Sequence, residues 1–334
     1  MQNGPAPPDG DLSEFARRIV AGEAPKEEIK EMLVSLNRNG VGPADVLSLA
    51  LAFQEASVPA YTDFPVVADL CGTGGGAIRT FNISTAASFV VAGCGVPVAK
   101  HGNRSNAGRS GSADVLEALG ARLRLSPGGA SMILDSIGYS FFFAPSFNPA
   151  MRNAAEARRE MGGRTIFNVL GPLLNPVRAR RRQLIGVSDA GLLDVLPPVL
   201  GDLGIERAFV VHGSPGIDEV STLGSTEAVL VEGHDAQRLT IRPQEMGLDV
   251  AAPIDLADRA PMPSAVLVRQ LLHLGQPAPA RDVVLLNAAC ALFAFGRAND
   301  LDHGLRLAEH SLASGRAAQR MERFVALSRK CRAD

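Results

Sequence analysis

Val66-Val67-Ala68-Asp69-Leu70-Cys71-Gly72-Thr73-Gly74-Gly75-Gly76 decides how this chain is read. It describes a short buried strand that runs straight into a glycine loop, the opening of an α/β unit. Glycines let backbone N–H groups come close to a phosphate. Asn82-Ile83-Ser84-Thr85 follows and places hydroxyls at a helix start, where the dipole favours anions. An apolar run over 86–99 leads to Lys100-His101-Gly102-Asn103-Arg104-Ser105 and then to Ser110-Gly111-Ser112-Ala113-Asp114. The stretch 69–114 reads as glycine loop, helix N-terminus, buried element and basic loop, all facing one polyanion.

Outward from this stretch, the pattern predicts strands over 66–71, 96–100, 134–143, 183–187 and 207–212, and a pair over 228–232 and 237–241. Helices are expected over 83–93, 113–119, 150–162, 192–203, 281–295 and 303–323. Strands alternating with helices indicate a mostly parallel sheet packed on two faces. Upstream, residues 12–57 carry apolar positions at helical spacing, broken at 37–40, and predict a small helical unit. The expected organisation is a flexible lead-in over 1–11, a helical domain over 12–62 and an α/β domain over 66–330. A helical segment around 163–180 is expected to pack on the helical domain. In α/β sheets, ligands bind beyond the carboxyl ends of strands. Cys71, Lys100, Ala144 and His212 stand at such ends.

The 334 residues suffice for a full hydrophobic core, and 33 basic against 35 acidic residues leave a net charge of −2. That balance argues against bulk nucleic-acid binding. Cysteines at 71, 94, 290 and 331 form no Cys-x-x-Cys pair and have no histidine cluster beside them, so neither a zinc site nor a disulfide framework is expected. The polar, Pro- and Gly-rich segment 1–11 is not a signal peptide. The longest apolar stretches, 86–99 and 283–295, fall short of the roughly 18–20 residues a membrane span needs. A cytoplasmic protein with no membrane partner is expected.

The glycine run alone is equally what a tight turn requires. It is neither a P-loop, since no Gly-Lys-Ser/Thr follows, nor a Gly-x-Gly-x-x-Gly pattern. Lys100 suits phosphate as a point charge, or is a solvated strand-end lysine. Asp218-Glu219, in a Gly/Pro turn after a strand, offers hard oxygens of the kind Mg²⁺ takes together with substrate phosphates; a solvated turn is the plainer reading. Arg158 is either a solvated helix residue or a carboxylate fork. The basic run 178–182 reads as a solvated loop. No nucleophile–base pair and no Gly-x-Ser-x-Gly elbow is present. The constellation suits a reaction in which a diphosphate leaves and the protein positions and stabilises charge.

Together, Gly72-Thr73-Gly74-Gly75, Thr80-Phe81-Asn82-Ile83-Ser84-Thr85, Lys100-His101-Gly102-Asn103-Arg104-Ser105, the run 110–120, the run 164–176 beginning Arg-Thr-Ile-Phe-Asn, and Gly216-Ile217-Asp218-Glu219 resemble the anthranilate phosphoribosyltransferase family, over roughly residues 12–325. The resemblance implies a helical domain joined to an α/β domain, and a homodimer through the helical part. The implied reaction joins anthranilate to phosphoribosyl pyrophosphate (PRPP), a step of tryptophan biosynthesis. Gly72, Thr73, Gly74, Gly75, Thr80, Asn82, Ser84, Thr85, Lys100 and Ser112 would hold PRPP. Ser84, Asp218 and Glu219 would bind Mg²⁺, and His101, Asn103, Asn148, Arg158 and Gly171 would line the anthranilate side. No residue serves as acid, base or nucleophile; Lys100 and His101 would stabilise charge.

The chain departs from the family pattern at Gly76, where Asp is usual, at Ala107 and Gly108, where Ser-Ser is usual, and at Asn148, where His is usual. These positions leave open another aromatic acceptor. A nucleic-acid-binding relative without catalysis is opposed by the net charge and by Asp218-Glu219. A nucleoside phosphorylase shares related glycine loops, but the Asn-Arg-Ser and Arg-Thr-Ile-Phe-Asn segments fit it poorly.

Overall fold

A computed structural model describes residues 12–76, 78–105, 110–257, 260–274 and 278–331. The expected lead-in over 1–11, and the Ala107 and Gly108 departures, lie outside the described residues. Seven strands form one sheet: β1 (Val66–Gly72), β2 (Val98–Gly102), β3 (Tyr139–Phe143), β4 (Arg180–Gly186), β5 (Arg207–Gly213), β6 (Thr226–Glu232) and β7 (Asp235–Ile241). Their order is β3-β2-β1-β4-β5-β6-β7. Pairings from β3 across to β5 are parallel, and β6 and β7 are added antiparallel. The chain runs outward from β1 to β3, then returns to lay β4 against the other side of β1. Loops leaving β1 and β4 therefore diverge, which opens a crevice at the carboxyl end of β1. The glycine loop lies in that crevice.

Side-chain alternation splits the central strands between two cores. Leu184, Phe209, Val211, Ala228 and Leu230 face one cluster, together with helices Ile83–Gly93 and Pro279–Phe295. Ile185, Val187, Ala208, Val210, Val229 and Val231 face the other. There they meet the helices Leu12–Ala21, Lys26–Asn39 and Pro43–Glu55, the short helix Ile166–Leu170 and the helix Leu192–Asp202. Phe53 packs edge-on against Phe167, with ring centroids 5.7 Å apart. Lys26 pairs with Glu156 and Glu160, and Lys30 with Glu160. These pairs are partly solvated, so they orient the helix Ala155–Met161 more than they stabilise it.

Several boundaries differ from the sequence expectation. The strand expected over 134–143 is a helix, Pro127–Ile137, followed by β3. Gly138 ends that helix in the left-handed region at φ 64°. The basic run 178–182 is not a solvated loop, because β4 begins at Arg180 and Arg181 is 5% exposed. Arg181 donates to the Leu173 carbonyl, and Arg182 pairs with Glu206. Helical structure in 163–180 is confined to Ile166–Leu170 and the 3₁₀ turn Gly171–Leu173. The helix expected over 150–162 divides into a 3₁₀ turn, Pro149–Ala154, and the helix Ala155–Met161. The one expected over 303–323 is two helices, Leu301–Ala313 and Arg316–Lys330, separated at Gly315 with φ 72°. Pro261–Leu274 is a further helix that periodicity did not reveal.

Phe53 is 1% exposed. Phe53→Ala is expected to cost about 3–5 kcal/mol of stability through the cavity left against Phe167. Urea denaturation followed by far-UV circular dichroism checks this.

Candidate active site

Three loops converge at the carboxyl end of β1: the glycine loop, the loop after β2, and the turn after β5. Their approach requires the absence of side chains. Gly72 and Gly186 are register partners on β1 and β4. A Cβ on Gly72 would overlap the Asp218 carboxylate, and one on Gly186 would overlap the Asp218 carbonyl. Two glycines side by side thus form a slot that receives Asp218. Gly74 and Gly75 have φ of 70° and 76°, a conformation that L side chains disfavour. The turned loop aims the Gly74 N–H at Asp218 Oδ2, 2.7 Å away.

Gly76 also has a neighbour. Its Cβ would lie 2.9 Å from the Gly216 carbonyl oxygen. At the position where the resemblance leads one to expect Asp, the loop and the 213–217 turn meet backbone to backbone.

Asn82 precedes the helix Ile83–Gly93, and its amide donates to the Ser110 carbonyl at 2.6 Å, tying the first loop to the second. The Ser84 N–H donates to Glu219 Oε1 at 3.3 Å, and the Ser84 hydroxyl accepts from Lys100 Nζ at 3.3 Å. Lys100 is 2% exposed, and its Nζ also donates to the Leu70 carbonyl at 2.6 Å. Burial pushes this ammonium pKa down, and the Asp69 carboxylate opposes the shift. Thr85 is fully buried, with no hydrogen-bond partner for its hydroxyl among the described residues. Thr80 bridges to Ala257. Ser112 donates to the Asn103 carbonyl at 3.3 Å, and Asn103 caps its own loop through Arg104 N–H.

Asp218 and Glu219 are half-buried carboxyls side by side. Burial raises the Asp218 pKa. Burial, then the charge of Asp218, raises Glu219 to about 8. Two crowded carboxylates beside the Ser84 hydroxyl make a donor set that a divalent cation would relieve. Among the described residues no three His, Cys, Asp or Glu side chains gather into a cage. Two carboxylates and a hydroxyl are a donor set of the kind Mg²⁺ takes, its shell being completed by water and phosphate.

His101, Asn148 and Gly171 form a second group. His101 Nδ1 donates to the Gly171 carbonyl at 3.1 Å, and Asn148 Nδ2 lies 3.1 Å from His101 Nε2. Burial pushes the His101 pKa down to about 4. Arg158 lies over the Phe167 ring at 5.2 Å and forms no ion pair among the described residues. Burial lowers its pKa. A half-buried guanidinium without a counter-charge is a place for a carboxylate.

Three positions were not singled out from the sequence. Asp69 is buried, accepts from the His101 N–H at 3.2 Å and from the Asn175 amide at 2.8 Å, and carries the second loop. Arg164 donates to Thr73 Oγ1 at 3.3 Å and spans from the glycine loop to an open cleft of about 610 Å³ that is also lined by Ser188, His212 and Glu227. Gly186 is the remaining one. Only Arg164, which heads the Arg-Thr-Ile-Phe-Asn motif, carried a sequence signal of its own.

The model of the glycosyl transferase family, a/b domain, matches residues 65–318. The anthranilate phosphoribosyltransferase of Moorella thermoacetica is 45% identical over 318 residues, 95% of this chain and 93% of its own. The chain belongs to the anthranilate phosphoribosyltransferase family. Its counterpart in Herpetosiphon aurantiacus is 44% identical over 95% of this chain and 94% of that protein. The crystal structure of the Thermus thermophilus enzyme has a TM-score of 0.88 at 39% identity, with 95% of this chain and 94% of that one covered. The Saccharomyces cerevisiae enzyme in complex with PRPP and Mg has a TM-score of 0.85 at 26% identity, with 96% and 93% covered. The family's sheet and its helical N-terminal region are those of this chain.

In metal-free protein, Glu219 binds a proton up to about pH 8, whereas in the unfolded chain it loses it near pH 4.3. Between those values the folded state holds more protons, so stability falls as pH rises. The melting temperature without metal is expected to drop from pH 5 to pH 8, and saturating Mg²⁺ to abolish most of the drop; scanning calorimetry tests this. Gly72→Ala, which pushes Asp218 out of its slot, is expected to remove the Mg²⁺-dependent rise.

Proposed function

We propose that this chain transfers the 5-phosphoribosyl group of PRPP to the amino group of anthranilate and releases pyrophosphate, a step of tryptophan biosynthesis. The observation that carries this reading is the hydrogen-bonded chain in which Gly74 donates to Asp218, Ser84 donates to Glu219 and Lys100 donates to Ser84, with Arg158 making no ion pair among the described residues. Gly72, Thr73, Gly74, Gly75, Thr80, Asn82, Ser84, Thr85, Lys100 and Ser112 serve the donor. Ser84, Asp218 and Glu219 hold Mg²⁺, which when bound neutralises charge on the pyrophosphate oxygens.

The C–O bond from ribose C1 to pyrophosphate breaks, and its electron pair leaves with pyrophosphate. The nitrogen lone pair of the amine forms the new C–N bond, and the surplus proton on nitrogen passes to water. Lys100 and the glycine-loop amides stabilise the developing negative charge. An aniline nitrogen is unprotonated near neutral pH and needs no base. Arg158 pairs the acceptor carboxylate, and His101, Asn103, Asn148 and Gly171 complete the acceptor wall. The same donor half with Asn148 in that wall would also serve another aromatic acceptor.

Residues 12–62 are proposed to form a helical domain and to mediate a homodimer, with residues 66–330 as the α/β domain. Leu51 stands 48% exposed on the helix Pro43–Glu55, beside a groove containing Leu47 and Arg17, as support for that contact. No helix among the described residues is long and apolar enough to cross a membrane, and a cytoplasmic location is proposed.

With PRPP and Mg²⁺ present, anthranilate fluorescence is expected to decay as pyrophosphate appears. Pyrophosphate release only with a different aromatic acceptor would overturn the anthranilate assignment. Arg158→Ala is expected to raise KM for anthranilate by the loss of a charge-assisted pair, roughly 2–3 kcal/mol, with KM for PRPP little changed; steady-state kinetics with each substrate varied decides. Leu51→Glu is expected to shift the protein toward monomer in sedimentation velocity.

A further inference from the structure

Asn148 and His101 are held between two carbonyl groups of one short turn. Asn148 Nδ2 lies 3.1 Å from the Leu174 carbonyl oxygen and 3.1 Å from His101 Nε2. A carbonyl oxygen only accepts, so the amide presents its NH₂ edge there, and the flip is not free. The second N–H of that NH₂ then donates to Nε2, which must carry a lone pair. On the other side of the ring, Nδ1 lies 3.1 Å from the Gly171 carbonyl and must carry the proton. One arrangement satisfies all three contacts, and it leaves Asn148 Oδ1 without a partner among the described residues. An imidazolium would set an Nε2–H against an NH₂ group.

We propose that Asn148 is a positioning residue that holds His101 as the neutral Nδ1–H tautomer with both ring nitrogens committed, so that His101 offers no base to the acceptor. This rests on the reading of the His101–Asn148–Gly171 face as the acceptor side. The nucleophile it admits must arrive with its lone pair free, which selects arylamines over aliphatic ammonium compounds.

The charges around the ring agree with this arrangement. Burial opposes a second proton on the ring, against the Gly171 contact, and Arg181 on β4 and Lys100 on β2 oppose it further. The Asp69 carboxylate on β1 is directed to the His101 backbone N–H and to Asn175. An amide suits position 148 because one NH₂ serves two acceptors without charge. A carboxylate there would place an oxygen against the Leu174 carbonyl and against Nε2, and would demand a proton on the ring. A neutral imidazole has a single N–H and could satisfy only one of the two contacts.

In the full-length protein with ¹⁵N-labelled histidine, NMR between pH 5.5 and 8 is expected to show His101 protonated at Nδ1, unprotonated at Nε2 and not titrating. An Nε2–H tautomer, or a titration within that window, overturns the proposal. In Asn148→Asp, His101 is expected to take a second proton. The kcat/KM for the arylamine should gain an acid limb, falling about tenfold per pH unit below the new ring pKa, with KM for PRPP within about twofold of wild type. A folded Asn148→Asp protein with the wild-type pH profile counts against it. If that variant fails to fold, the wild-type NMR result decides by itself. A different acceptor would leave the tautomer result standing, and a reversed tautomer would leave the transferase reading in place.

Discussion

Asp218 sits where two neighbouring strands lack side chains, and the rest of the site follows from that accommodation. Gly72 on β1 and Gly186 on β4 are paired in register, and each would collide with Asp218 if it carried a Cβ. Because the β5 turn can settle onto the sheet end, Glu219 reaches the first turn of the helix Ile83–Gly93 and receives the Ser84 N–H. Ser84 in turn receives Lys100 from β2. Five segments are therefore linked through one slot at the switch point of the sheet.

Burial makes this linkage electrostatically tense. Asp69, Lys100 and Arg181 lie out of water and Asp218 and Glu219 are half-buried, and burial pushes each toward its neutral form. Asp69 and Lys100 oppose one another's shifts. The carboxyl pair at 218–219 has no such neighbour of its own beyond the shared Lys100 and a distant Arg164. A cation at this pair would therefore displace the proton that burial favours on Glu219. His101 stands one residue beyond Lys100, yet the hydrogen-bond partners of its ring, Asn148 and the Gly171 carbonyl, are uncharged.

What the sequence disclosed was whatever local chemistry determines. β1, the helix Ile83–Gly93 and the antiparallel pair at 226–241 carry their own patterns, as do the glycine loop and Asp218-Glu219. Gly186 and Asp69 carry no local signal, because the role of Gly186 exists only after β1 and β4 are in register and that of Asp69 only after β2 and Asn175 are laid beside β1. Arg181 was misread because charge in a run suggests solvent, whereas its guanidinium bonds a carbonyl inside the protein. The helix Pro127–Ile137 was merged with β3 because Ile133, Leu134 and Ile137 continue the apolar character of the Phe-rich strand, and only Gly138 separates them. The helix Pro261–Leu274 opens with prolines, which favour a helix start as much as a loop, so the segment gave no clear sign.

The alternation along β4, β5 and β6 has a further consequence. Donor-side elements such as the helix Ile83–Gly93 and β2 rest on one core, while the segment carrying Arg158 and Gly171 rests on the other through Ile166, Phe167 and Leu170. Arg158 and Gly171 thus have a footing of their own, whereas His101 on β2 and Asn148 beside Phe147 share the core beneath the helix Ile83–Gly93, so repacking that core would disturb both sides of the site.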